Sequence, residues 1–533
     1  MYMKYLTFII LFAVTLPFFG QTVQPPFPVK REETPATWQR DGWNAVERAK
    51  REKPRKGKAK NVILFLTDGM GISTVTAARI LDGQLRGESG EENRLSFEEF
   101  PYSAFSKTYS VNQQTSDSAP TMSAIITGIK TDEGILSVNQ NVVHGDYRTV
   151  KGNEAKTLVE MAEERGLSTG VVSTARLTHA TPGACYAHTA DREWESDSDI
   201  FKSRKDAYEA KFPDIARQLT EFPYGNGLEV AMGGGRGKFI PREMADPEYS
   251  REKGERMDRR NLPEEWTGKY KNSAYIWNKQ QFDAIDPRKS DHLLGLFERS
   301  HMKFEKERAK SNDEPSLSEM TSKSIDILSR NKKGYFLMVE AGRIDHSNHN
   351  GNAYRALHEA VELSKAVRAT LSKVNLDETL IVVTADHSHT LVIQGYPVRG
   401  NNILGLIREV DENGNPEAHY KKDKLGLPIT TLSYANGKGY TGESNLQPEG
   451  PKKCCDDPKT IKGITKGRPD LTNVDTTAPD YLQEAAIPLS AETHGGEDVP
   501  IYAIGVNAHL FRGSMEENWT FYIMADALRF NRK

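Results

Sequence analysis

Short apolar runs that stop at ionisable side chains set the pattern of this chain. Val62 to Leu66 leads through Thr67 to Asp68. Phe336 to Val339 leads to Glu340, with Asp345 and His349 just beyond. Leu380 to Val383 leads through Thr384 and Ala385 to Asp386, His387 and His389. Runs of four to eight apolar, β-branched-rich residues predict strands buried in a parallel sheet. Such runs recur at 61–67, 169–174, 228–232, 335–340, 379–386 and 499–505, with helical stretches between them, for example 154–165 and 353–374. The alternation predicts an α/β fold: a central, mostly parallel sheet covered by helices on both faces. Open α/β sheets bind ligands beyond the carboxyl ends of their strands. The carboxylates and histidines above should therefore meet at one sheet edge, joined by His494 from a later segment.

Two stretches break the pattern. Residues 397–485 are rich in Gly, Pro, Asn, Lys and Asp and poor in apolar periodicity. They separate the Asp386 group from His494, so they read as an insertion on the rim of the site. Residues 241–315 are also polar, highly charged and insertion-like. Near the start, Trp38, Trp43, Ala45, Val46 and Ala49 have helical spacing within 37–53. The resulting layout is a leader (1–20), a helix and linker (21–60), an α/β core (61–396), the insertion (397–485) and a returning part of the core (486–533). No internal repeat is found.

Size and charge narrow the classes. A chain of 533 residues has room for a large core. Its 71 basic and 74 acidic residues give a net charge of −3, which gives no bulk electrostatic case for nucleic acid. The beginning has Lys4, an apolar run from Leu6 to Phe19, then Gly20. That order predicts a cleaved secretory leader, the alternative being an uncleaved anchor, and so an exported protein, periplasmic or extracellular. No later stretch predicts a membrane helix, so no stable anchor is expected in the mature form. Of the three cysteines, Cys454 and Cys455 are adjacent and would strain if bonded to each other, so they pair elsewhere or stay free.

The candidate chemistry is metal-assisted. Asp345 and His349 are spaced i,i+4 and share a face if helical. Three ionisable groups at the end of an all-apolar strand (Asp386, His387, His389) are costly to bury unless they bind something. Mixed Asp/His ligation without thiolate suits catalytic zinc, and carboxylate with hydroxyl suits magnesium. Ser118 lies where a helix through Ile126 begins, with Pro120 in its first turn. Alone it reads as an N-cap; beside a metal set it becomes a candidate nucleophile in the positive field of a helix start. Arg192 could clamp two phosphate oxygens. The glycines of 232–238 do not form a phosphate loop, since Met232 and Phe239 fall where Gly and Ser/Thr are required.

These residues resemble the alkaline phosphatase family, its animal-type branch in particular. The motifs are Asp68-Gly69-Met70-Gly71, Asp117-Ser118, Arg176 to Pro182, Val339 to His346, Thr384 to His389 and Glu492-Thr493-His494. The resemblance implies phosphate monoester hydrolysis through a phosphoserine on Ser118. It implies one zinc on Asp345, His349 and His494, and a second on Asp386, His387 and Ser118. Asp68 would bridge to a magnesium completed by Thr181 and Glu340. Arg192 would bind phosphate, with Asp117, His179 and His389 supporting the ligands. A calcium would sit at Glu248, the Phe297 carbonyl, Glu298 and Glu314, although Glu314 stands where the family more often has Asp. The 37–53 helix would embrace a second subunit, giving a homodimer, and 397–485 would be a crown-type insertion. Ala119 replaces a usual glycine. The rival readings are a phosphodiesterase of the same architecture and a non-catalytic exported phosphate- or metal-binding protein. A sulfatase would need a Cys/Ser-x-Pro-x-Arg motif, which the three cysteines lack.

Overall fold

The computed structural model of the chain describes residues 23–442 and 468–530. The expected leader and the pair Cys454 and Cys455 lie outside the described residues, and Cys185 is buried as a free thiol. In chain order the strands are β1 (Asn61–Leu66), β2 (Tyr102–Lys107), β3 (Ser168–Arg176), β4 (Val230–Gly234), β5 (Ser273–Ile276), β6 (His292–Leu296), β7 (Tyr335–Glu340), β8 (Thr379–Thr384), β9 (Ser388–His389), β10 (Leu391–Ile393), β11 (Leu432–Gly437), β12 (Ala485–Pro488), β13 (His494–Gly495), β14 (Val499–Gly505) and β15 (Ser514–Glu516). Ten of them form one sheet in the order β15-β2-β14-β8-β1-β7-β3-β4-β6-β5. Only β14 runs against its neighbours; the other pairings are parallel.

Each predicted strand run lies in this sheet. The continuous apolar character of β1 has a direct cause: Val62, Leu64 and Leu66 enter one buried core while Ile63 and Phe65 enter the core on the opposite face. Helices supply the other half of each core. Leu158, Val159 and Ala162 pack on one face; Ala356, Ala360, Leu363 and Val367 of the helix Ala353–Leu371 pack on the other. The predicted helix at 154–165 starts later, at Leu158. Thr157 accepts from the Glu160 N–H and Glu160 reaches back to Thr157, a capping box that ends the extended approach.

The polar stretch 241–315 is more than an insertion. It contributes β5 and β6, which extend the sheet past β4. Its charged loops hid them, together with the shortness and half-exposed face of β5. Residues 391–393, 432–437 and 485–488 form a separate three-stranded sheet, β10-β11-β12. At the start of the described chain, α1 (Pro35–Arg51) is capped by Thr34 and buries none of its residues. Trp38 and Trp43 remain 51% and 70% exposed.

Candidate metal centre

The sheet itself brings the site together. β1 lies between β7 and β8, and Leu66 pairs with both Glu340 and Thr384. The three carboxyl ends are therefore level, and Asp68, Glu340 and Asp386 emerge side by side. The helix Arg343–His349 starts three residues after β7 and carries Asp345 and His349 on one face. His494 arrives through a two-residue antiparallel ladder in which it pairs with His389. Gly69 has φ +73°, and a Cβ there would lie 2.4 Å from the His389 ring, so only glycine allows this approach.

The helix Ser118–Thr127 is capped by Asp117, whose carboxylate accepts from the Ala119 N–H at 2.7 Å. The N-cap reading of Ser118 is thereby corrected: its hydroxyl is spared from capping and lies 3.3 Å from Asp68 Oδ1 and 3.1 Å from His387 Nε2.

Two groups of donors stand out. In the first, His349 donates Nδ1–H to the Glu492 carbonyl at 2.6 Å, and His494 donates Nδ1–H to the Ser116 carbonyl at 2.7 Å. Those bonds make each Nδ1 a donor and turn each Nε2 into the site. The two Nε2 atoms face each other at 3.1 Å, with Asp345 Oδ1 at 3.2 and 3.4 Å. Two imidazole nitrogens and a carboxylate oxygen converging this closely form a donor set suited to a cation. The His349 side chain is 34% exposed, so this end of the site is open to solvent.

In the second group, His387 Nε2 lies 3.4 Å from Asp68 Oδ1 and 3.5 Å from Asp386 Oδ2, with all three side chains fully buried. Asp68, His179 and Glu340 form a further cluster with atoms within 4.8 Å of one another. Asp68 Oδ2, Asp386 Oδ2, Glu340 Oε1 and Thr181 Oγ1 are buried without a hydrogen-bond partner. Each such group costs about 1–3 kcal/mol, more when charged. Burial and the neighbouring carboxylates push Asp68 well above its ordinary range, and burial first of all pushes Glu340 to about 8 and Asp386 to about 6. Burial, then His494, holds His387 well below its usual value. A donor set that resists its own charge is one that a bound cation would relieve. The chemistry fits: imidazole with carboxylate for zinc, carboxylate with the Thr181 hydroxyl for magnesium.

Around these groups, Arg192 lies 3.6 Å from Asp117 and its Nη2 is 3.1 Å from His179 Nε2. The expected calcium positions are differently engaged. Glu248 pairs with buried Arg236 at 2.8 Å, Glu298 accepts from Tyr249 at 2.8 Å, and Glu314 accepts from the Lys303 N–H at 3.0 Å. Among the described residues these carboxylates do not form one of the groups that close to within 4.8 Å. Two residues whose roles were not read from sequence also touch the ligands: Ser173 hydrogen-bonds Glu340, and Glu492 engages His389. Glu492 was visible in the Glu492-Thr493-His494 motif, but its contacts depend on a distant strand register.

The sheet and donor set define an α/β protein with candidate metal sites at its strand ends. Comparisons with known proteins give the same result. The alkaline phosphatase family model matches residues 59–530. The alkaline phosphatase of Gadus morhua is 44% identical over 481 residues, covering 89% of this chain and 92% of that protein. The tissue-nonspecific isozyme of Homo sapiens is 40% identical over 505 residues, covering 93% and 89%. In fold, the chain is similar to the Thermus thermophilus alkaline phosphatase, with a TM-score of 0.61 at 21% identity over 90% of this chain and 93% of the other. The chain belongs to the alkaline phosphatase family, an enzyme family of phosphoric monoester hydrolases.

Proposed function

We propose that this chain hydrolyses phosphate monoesters through a phosphoserine on Ser118, in a site completed by two zinc ions and one magnesium. The observation that carries the metal assignment is the facing pair of Nε2 atoms on His349 and His494, 3.1 Å apart beside Asp345. Asp345, His349 and His494 would hold the first zinc. Asp386, His387 and Asp68, with Ser118, would hold the second. Asp68, Thr181 and Glu340 would hold magnesium. A calcium at Glu248, the Phe297 carbonyl, Glu298 and Glu314 is a further part of this reading, supported by Glu314, whose Oε1 is buried without a partner and whose carboxyl is pushed up to about 8 by burial.

When bound, the ions supply the positive charge that favours a serine alkoxide and stabilises the attacking and leaving oxygens of an in-line displacement. The chain's own groups do the rest. The Asp117 cap leaves the Ser118 hydroxyl free at the start of the helix Ser118–Thr127, where the helix field favours negative charge. Ser118 Oγ attacks phosphorus, and the bond to the leaving alcohol breaks on the opposite side. Arg192 holds two non-bridging oxygens, steadied by Asp117 at 3.6 Å. Water then attacks the phosphoserine and releases phosphate, regenerating Ser118. Because the transition state is loose and anionic, positioning and charge carry most of the acceleration.

Two coarser traits accompany this reading. The exposed Trp38, Trp43 and Val46 of α1 support an arm lying on a second copy in a homodimer. The apolar run Leu6 to Phe19 supports export; no described helix is long and apolar enough to cross a membrane. The test is hydrolysis of p-nitrophenyl phosphate beside its bis-ester, with and without chelator. Monoester turnover lost to chelator and restored by zinc is expected. Preference for the bis-ester would move the chain to the diesterases, and no turnover of either by the zinc-loaded protein would leave a binding protein.

A further inference from the structure

Glu492 meets the first donor group from several directions at once. Its main-chain N–H donates to the His349 carbonyl at 2.9 Å, and its own carbonyl accepts from His349 Nδ1 at 2.6 Å. Its Oε2 accepts from His389 Nδ1 at 2.5 Å, and the opposite nitrogen, His389 Nε2, donates to Asp345 Oδ1 at 2.8 Å. Its Oε1 accepts from the Thr390 N–H at 2.7 Å and hydroxyl at 2.6 Å. Every polar atom of this residue is committed, and the side chain is 0% exposed.

Although Glu492, His349 and His389 crowd within 4.8 Å of one another, they do not form a further metal site. Both nitrogens of His389 are spent on carboxylates, and His349 turns its Nδ1 to a carbonyl. The crowding is a hydrogen-bond relay that ends on Asp345 and His349.

The segment is braced from behind. Asn436 exchanges two hydrogen bonds with Thr493, at 2.9 and 3.0 Å. Gly437, with φ +124°, lies so close that a Cβ would come within 2.9 Å of Glu492 Cβ. β11 of the small sheet thus presses residue 492 against the site.

We infer that Glu492 is a positioning residue: it orients Asp345 through His389, and His349 through the main chain, so that both face the first zinc site. This rests on the proposed zinc assignment. Groups that orient metal ligands in this way typically contribute 10–100-fold to metal affinity. Glu492 reaches neither substrate nor ion, and its effect should fall on one site of the two.

The experiment is zinc competition against a chromophoric chelator with the full-length protein, comparing wild type, Glu492→Ala and Glu492→Gln, together with melting of the metal-free forms. Two zinc ions per wild-type chain are expected. Glu492→Ala should weaken one of them about 10–100-fold and leave the other unchanged. Glu492→Gln should fall between, since an amide can keep the Thr390 bonds. Unchanged binding of both ions in Glu492→Ala would overturn the inference. Equal weakening of both ions, accompanied by a large drop in melting temperature, would also overturn it, since that is the behaviour of a general structural residue. Wild type that binds no zinc would instead sink the underlying metal assignment.

Discussion

The sheet-edge centre and the triad Asp197, Asp214 and Asp258 both crowd carboxylates within 4.8 Å, yet their charges are handled in different ways. In the triad, the fully buried Arg256 side chain lies 2.9 Å from each oxygen of Asp214 and forks onto Asp258 at 3.0 and 2.5 Å. The guanidinium supplies the cation, and no ion is called for. At the sheet edge, no such side chain is present among the described residues for Asp68, Asp386 or Glu340, and each keeps an unpartnered oxygen. A third buried pair shows another solution. Glu163 and Glu229 share Thr169 and Asn226, and burial together with the neighbouring Glu229 pushes Glu163 up to about 9, so a proton takes the cation's place. A count of acids alone does not find a metal site. What distinguishes the sheet edge is buried acid oxygens left without any hydrogen-bond partner, converging with imidazoles.

Breaking each region separately tests this contrast. The largest effect should come from Ser118→Ala: monoester turnover is expected to fall on the order of 10³-fold or more, with loss of trapped phosphoserine but retention of zinc. Phosphoserine found on another residue would remove Ser118 from the mechanism. Next, stripping metal should both abolish turnover and lower the melting temperature. Each site saturated at a thousandfold excess over its Kd contributes about 4 kcal/mol. A melting temperature indifferent to chelator would erase the distinction between the two clusters.

In the triad, Arg256→Met should destabilise by about 3–5 kcal/mol by leaving buried charges uncompensated. Urea unfolding would measure the loss, and zinc content should stay at the wild-type value. If instead this variant gained a tightly bound cation, the triad would be a latent metal site.

The smallest effect is a pH slope. Glu163 holds its proton in the folded state well above the pH at which the unfolded chain releases it. Stability contributed by that proton is therefore full at low pH and is lost progressively as pH rises toward about 9. Glu163→Gln should flatten this part of the stability–pH curve in urea titrations; an unchanged slope would show that the pair is not proton-held.

Much of this was legible in the residues. The buried strands announced themselves because β1, β7 and β8 are covered on both faces and carry no polar alternation. Asp68, Glu340 and Asp386 followed from the strand ends. The edge of the sheet was not legible: β2 alternates exposed and buried positions, and β5 and β6 lie within charged loops. The resemblance gives Asp117 only as a support for the ligands, whereas its capping bond to the Ala119 N–H is what frees Ser118. The relay through Glu492 and the fork of Arg256 depend on which distant side chains meet, which periodicity does not encode.

The ladder that delivers His494 also sets a timetable. The hydrogen bond between Ser116 and His494 spans 378 residues. At a ribosomal pace of roughly 5–20 residues per second, tens of seconds separate synthesis of its two ends. A nascent chain thus holds Asp68 and Ser118 long before the cage can close, and any ion it meets finds an unfinished set of ligands. On the proposed assignment, choice among metals would be deferred to the finished molecule, and the ions would come from the fluid in which folding ends.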